Sequence, residues 1–115
     1  MLKQILNEFL SVEGVSAAAL IGRDGFVIEL VSIDPLDRDA LGVMCTGQMK
    51  YFERHGRELR MGRPRQIVQE YEGGTLLMMP VTWDEFLVVL TSTNRGLATL
   101  ARTLPKITER IEAVI

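Results

Sequence analysis

Apolar and polar positions follow a helical period in some stretches and a strand-like pattern in others, and the changes between them divide the chain. Leu2, Ile5, Leu6, Phe9 and Leu10 fall on one helical face opposite Lys3, Gln4, Asn7 and Glu8, which predicts a first helix of about three turns. Gly14 follows where a helix end needs a residue tolerant of left-handed φ. Two apolar runs come next, Val15–Ile21 and Phe26–Leu30, separated by Gly22-Arg23-Asp24-Gly25, and they read as a β-hairpin. Near-continuous apolar character, rather than alternation, predicts that both faces of this hairpin are covered, and so places it at the centre of a sheet with helices on each side.

The Asp34-Pro35 step marks a turn, and Asp37 or Asp39 can cap a long second helix running from about Asp39 to Arg60. One stripe of that helix is Leu41, Met44, Cys45, Gln48, Phe52 and Leu59; a neighbouring stripe is Ala40, Val43, Gly47 and Tyr51. This apolar surface is wider than one sheet requires. Gly42 and Gly47 each cost about 1 kcal/mol against alanine inside a helix, which predicts that another backbone approaches closely. The second stripe is therefore read as a partner face. Met61-Gly62-Arg63-Pro64 should end the helix, with glycine as its cap.

A third, polar strand, Gln66–Tyr71, is expected at a sheet edge, and Glu72-Gly73-Gly74 turns it into a fourth, Thr75–Val81. Thr82–Glu85 forms another turn before an apolar fifth strand, Phe86–Thr91. Thr93 or Asn94 can cap a last helix carrying Leu97, Leu100, Ala101, Leu104, Ile107, Ile111 and Val114 on one stripe. Pro105 removes the hydrogen bond to the Ala101 carbonyl and should kink or divide that helix.

Composition narrows the function classes. The chain has 115 residues, 47% of them hydrophobic and 24% charged, with a formal charge of -2, which suits one domain over residues 1–115 and does not announce nucleic acid. Met1–Glu8 lacks the apolar core of a signal peptide, no apolar run reaches the roughly 20 residues that span a bilayer, and Cys45 is the single cysteine. A reducing cytoplasm is the expected compartment.

Charge is sorted along the second helix: Asp34, Asp37 and Asp39 at its start, then Lys50, Arg54, Arg57 and Arg60, with Arg63 and Arg65 beyond, complementing the helix dipole. The basic cluster reads either as a solvated face or as a site for phosphates, anionic lipid or an acidic partner. No aromatic residue of the kind that stacks on bases lies between Arg54 and Arg65, which argues against nucleic acid. Lys50, Arg54, Arg57 and Arg60 are the candidate partner-binding residues. Trp83, on a turn, is either a partner anchor or packed on its own strand.

Catalytic material is scarce. No Gly-x-x-x-x-Gly-Lys-Ser/Thr phosphate loop occurs, and with one histidine, His55, and one cysteine, nucleophilic triads and typical zinc sites are not expected. His55 is read as a solvated side chain and Cys45 as an inert buried thiol. Met78 and Met79, neighbours on one strand, should enter the core under different helices. No catalytic residue, metal or cofactor is expected.

In order, these features resemble the Roadblock/LC7 domain family over essentially the whole chain. The resemblance rests on Gly14-Val15 after the first helix, Arg23-Asp24-Gly25 in the hairpin, and the aspartate-rich approach to a small-residue helix. Gly73-Gly74 and the strand-ending Pro80-Val81 complete it, while Pro105 and the arginine-rich exit from the second helix depart from the pattern. It implies an α/β fold of α+β type in the order α-β-β-α-β-β-β-α. A mainly antiparallel five-stranded sheet would carry the long helix on one face and the terminal helices on the other, an architecture similar to profilin-like and longin-like domains.

The resemblance also implies a non-enzymatic homodimer in which the third strands pair, through Ile67, Val68, Gln69, Glu70 and Tyr71, and the second helices pack through Ala40, Val43, Gly47 and Tyr51. Such a dimer would be a scaffold or regulator of a small Ras-like GTPase. The alternatives are a motor light-chain-type adaptor and a PAS-like small-molecule sensing module. A sensor needs a roomy pocket with convergent polar groups, and the apolar density of the first, second, fourth and fifth strands argues against one.

Overall fold

The computed structural model describes residues 1–95 and 97–115. The elements are α1 (Leu2–Leu10), β1 (Val15–Gly22), β2 (Val27–Ser32), α2 (Arg38–Glu58), β3 (Ile67–Tyr71), β4 (Gly74–Pro80), β5 (Glu85–Thr91) and α3 (Leu97–Glu112). All four pairings are antiparallel, in the spatial order β2-β1-β5-β4-β3.

Side-chain alternation splits the core between the two faces of the sheet. Ala18 and Leu20 of β1, Leu77 and Met79 of β4, and Leu87 and Val89 of β5 face α1 and α3, where Leu6, Phe9, Leu104 and Ile111 are buried. Ala19, Ile21, Met78, Phe86 and Val88 point the other way, against Leu41, Cys45 and Met49 of α2. The adjacent methionines thus enter different layers, as the period of two requires. Glu8 of α1 and Arg110 of α3 are joined at 2.7 Å, and the hydrogen bond from the guanidinium holds the Glu8 carboxyl below the ordinary carboxylate range.

The hairpin is not the centre of the sheet. β5 holds that place between β1 and β4, while β2 is an edge. Continuous apolar sequence fits two-sided burial in β1, but in the β2 run Phe26 is 73% and Ile28 46% exposed. Two features blunt the β2 edge. Pairing passes from Leu20 with Glu29 to Ile21 with Val27, so Ile28 is an extra residue that bulges the strand, and the Arg38 guanidinium donates to the Val27 carbonyl at 2.9 Å. β3, the expected polar edge, pairs with β4 in unbroken register from Ile67 with Met78 to Tyr71 with Gly74.

Asp37 caps α2, its carboxylate accepting from the Ala40 amide at 3.0 Å. The inward line is Leu41, Cys45, Met49 and Glu53, each one turn on from the last, with Gly42 and Thr46 beside it. Met44 and Leu59, expected on the inward stripe, are 58% and 63% exposed. The sheet contacts a narrower strip than the apolar sequence covers, and it continues onto Glu53 rather than Leu59. Gly42 is explained inside the chain: a Cβ there would lie 2.2 Å from the Gly25 carbonyl oxygen in the β1–β2 turn. Gly47 has open space around it. The helix ends without glycine in the left-handed position, which Arg60 takes with φ 56°, and the Met61 and Gly62 amides donate back to the Gly56 carbonyl.

α3 runs through Pro105 as one helix. The Ala101 carbonyl that Pro105 cannot serve accepts instead from the Gln66 side-chain amide, at 2.9 Å, just before β3. The expected cap of α3 falls at the edge of the described residues. The Thr93 hydroxyl accepts from the Arg95 amide, and the Asn94 carboxamide oxygen accepts from the Thr75 hydroxyl; residue 96 lies outside the described residues.

The Gln66 contact gives a clear expectation. Gln66→Ala should lower stability by about 1–2 kcal/mol, because a part-buried carbonyl loses its donor. In a Pro105→Ala background, where residue 105 regains an N–H for Ala101, the same change should cost less than half as much. Urea denaturation of the four proteins of this cycle checks it, and equal costs in both backgrounds would refute the assignment.

Candidate interaction surface

Burying Leu41, Cys45 and Met49 turns the opposite side of α2 outward. Val43 is 68% and Tyr51 52% exposed, Gly47 lies open between them, and Ala40 is half-buried. These residues, predicted as one stripe, do share one face. On β3 the predicted residues divide: Ile67 is buried against the α2 side of the sheet, Gln69 is half-buried, and Val68, Glu70 and Tyr71 are exposed. Between the end of α2 and β3 lies a groove of about 450 Å³, walled by Phe52, His55, Leu59, Met61 and Val68 among others. The His55 ring packs against Tyr51, centroids 4.2 Å apart, so it is half-buried rather than fully solvated.

The basic residues also divide. Lys50, Arg54 and Arg57 line a second groove of about 630 Å³ together with Arg23, Tyr51 and Trp83, while Arg60 lies beyond the end of α2. Arg54 is 3.8 Å from Glu58 and over the Tyr51 ring. Among the described residues Lys50 and Arg57 make no ion pair.

Glu53, which sequence reasoning passed over, organises this groove. It is the one buried charged side chain among the described residues. Arg23 donates to both of its carboxylate oxygens, one at 2.7 Å, in the fork geometry that suits a guanidinium. Arg63 lies 3.7 Å away, turned inward from the basic cluster to which it was assigned. Both guanidinium groups also sit over the Trp83 ring, 4.6 and 4.2 Å from its centre, with the indole 61% exposed. One carboxylate thus ties α2 to the β1–β2 turn, the loop before β3 and the β4–β5 turn. Its signal in the sequence was position, since it follows Leu41, Cys45 and Met49 at intervals of one turn.

Cys45 faces the sheet rather than this surface. Burial pushes the Cys45 thiol up to about 11, so it stays protonated at neutral pH. Among the described residues no cluster of histidine, cysteine, aspartate and glutamate could hold a metal, and no helix is long and apolar enough to cross a membrane.

Glu53→Ala would leave the Arg23 and Arg63 guanidinium groups without their shared counter-charge. The expected loss, about 2–4 kcal/mol by guanidinium denaturation, falls near the range for breaking a buried pair because Arg23 is only partly exposed. Glu58→Ala, in the exposed pair with Arg54, should change stability by about 0.5 kcal/mol or less.

The family model of the Roadblock/LC7 domain matches residues 1–91. A protein of Methanocaldococcus jannaschii described as uncharacterised is 30% identical over 114 residues, which covers 99% of each chain. Among solved structures, a Roadblock/LC7 domain from Streptomyces avermitilis superposes with a TM-score of 0.88 at 19% identity, covering 97% of this chain and 95% of its own. Myxococcus xanthus MglB superposes with a TM-score of 0.91 at 13% identity, covering 98% of this chain and 93% of its own. The three-helix, five-stranded order, the placement of α2 alone on one face and the family match agree: this chain belongs to the Roadblock/LC7 domain family.

Proposed function

We propose that the protein is a cytoplasmic, non-enzymatic homodimer that acts as a scaffold or regulator of a small Ras-like GTPase. The observation that carries this reading is the outward face of α2, where Val43, Gly47 and Tyr51 remain uncovered beside Lys50, Arg54 and Arg57 although the monomer's core is complete without them. Membership of the family supplies the class of partner. The contrast between the sheet edges supports self-association through β3, since β2 is bulged and capped by Arg38 whereas β3 is regular. Open space at Gly47 supports an α2 that meets its copy there, backbone close to backbone.

In such a dimer the second helices cross antiparallel, with the aspartates at one end near the partner's arginines. Exposed pairs contribute about 0–1 kcal/mol each, so they set orientation more than affinity. Regulation then works by ordering the GTPase's own switch segments.

Sedimentation equilibrium of the unaltered chain at micromolar concentration should give a dimer. Gly47→Leu should weaken it more than Arg57→Ala, and Val68→Pro should disrupt it; a monomeric parent, or the reverse order of the first two, would overturn the interface. The chain alone should hydrolyse no GTP. With saturating dimer, a Ras-like GTPase from the same genome should keep its altered turnover when Arg54 and Arg57 are both alanine. A loss near the 10³-fold scale of an arginine finger would replace positioning by direct catalysis.

A further inference from the structure

The groove between α2 and the two hairpin turns carries a charge pattern that selects its partner. Two concavities, of about 510 and 630 Å³, meet along a shared wall formed by Arg23 and Lys50. In the larger, Arg23, Lys50, Arg54 and Arg57 face one carboxylate, Glu53, and Glu53 is already engaged by Arg23 and Arg63. Lys50 and Arg57 make no ion pair among the described residues, so the larger concavity, on the α2 side, has an excess of positive charge, while the other carboxylates lie in the smaller one. At its rim stands Trp83, exposed yet held by two guanidinium groups, so little side-chain freedom remains to be lost on contact. An exposed, pre-ordered tryptophan among arginines has the composition of a protein interface hot spot.

We infer that this groove is the site where the partner docks, and that the partner presents an acidic protein surface: carboxylates against Lys50 and Arg57, and an apolar or aromatic contact on Trp83. This rests on the proposed GTPase reading and adds the chemistry of the surface that is recognised. The rim speaks against an anionic bilayer as the occupant. Asp24, Asp84 and Glu85 line the adjoining concavity and would face the headgroups with like charge. A protein surface can meet both signs in separate places.

The test measures association of a Ras-like GTPase from the same genome with the intact protein across a salt series. The variants are Lys50→Glu with Arg57→Glu, Trp83→Ala, Trp83→Phe, and a charge-matched control on the far face, Arg102→Glu with Lys106→Glu. Far-UV circular dichroism checks that each variant folds. Because Arg57 lies near the partner's aspartates in the proposed dimer, GTPase association is compared at concentrations where sedimentation shows parent and variant to be equally dimeric. Reversal at Lys50 and Arg57 should slow association about tenfold or more at low ionic strength, with the gap closing at high salt, while the control stays at the parental rate. Trp83→Ala should speed dissociation about tenfold or more and Trp83→Phe should restore much of the loss, as expected of a hot-spot anchor.

Parental association by the Lys50/Arg57 reversal would overturn the groove while leaving the GTPase reading in place. Failure of the unaltered protein to bind the GTPase in either nucleotide state would overturn both. Binding of the parent to phosphatidylserine vesicles that is lost on reversal, with GTPase binding unchanged, would assign the groove to a membrane and overturn the inference.

Discussion

Leu41, Cys45 and Met49 lie one turn apart along α2 and press into the sheet, and the next position on that line is a carboxylate rather than another apolar side chain. Glu53 extends the seat of the helix beyond what hydrophobic contact supplies, because its two arginine partners come from other segments, Arg23 from the β1–β2 turn and Arg63 from the loop that follows α2. A buried carboxylate is tolerable only with its charge matched and its oxygens hydrogen-bonded, so the loops carrying Arg23 and Arg63 are constrained along with it. Thr46 and Gly42 complete the seat against the β1–β2 turn. Once the inward line is fixed, the outward line of Val43, Gly47 and Tyr51 and the flank of Lys50, Arg54 and Arg57 have fixed directions too. A surface that recognises another protein needs that rigidity, since every side chain ordered on contact subtracts from affinity.

The opposite layer has a parallel device. Proline in α3 removes a donor inside a helix that packs on the sheet, and the vacancy is met by Gln66 on the approach to β3. The position of α3 is thereby linked to the edge strand proposed for self-association. Arg38 does comparable work at the other edge, where its guanidinium donates to the Val27 carbonyl of the bulged β2 strand. The two edges therefore differ: β2 is bulged and partly served by Arg38, whereas β3 is regular.

Much of the fold was legible in the sequence because periodicity reports local geometry. The helices, the strands and the opposite directions of Met78 and Met79 all follow from spacing within one segment. Spatial order does not. Apolar continuity in Phe26–Leu30 looked like two-sided burial, yet Phe26 and Ile28 are exposed on an edge strand, because the next neighbour of β1 is β5, more than fifty residues away. The same reasoning separates the glycines of α2: both broke the helical pattern alike, but only coordinates show that Gly42 meets the chain's own turn and Gly47 meets nothing. In the site, the outward stripe of α2 was readable. The inward position of Glu53 was readable from its spacing, but its partners Arg23 and Arg63 and their stacking on Trp83 were not, since contacts between separate segments leave no periodic trace.

The proposed dimer uses the open β3 edge and the outward face of α2 as the contact surface between copies of the chain. Hydrogen–deuterium exchange followed at two protein concentrations, one well above and one well below the dissociation constant, tests it directly. In β3, the amides of Ile67–Tyr71 that β4 does not bond should be protected in the concentrated sample and exchange faster on dilution, while the β2 edge, Val27–Ser32, exchanges at one rate in both. Concentration-independent exchange along β3, or protection that instead follows concentration at β2, would rule out pairing through β3.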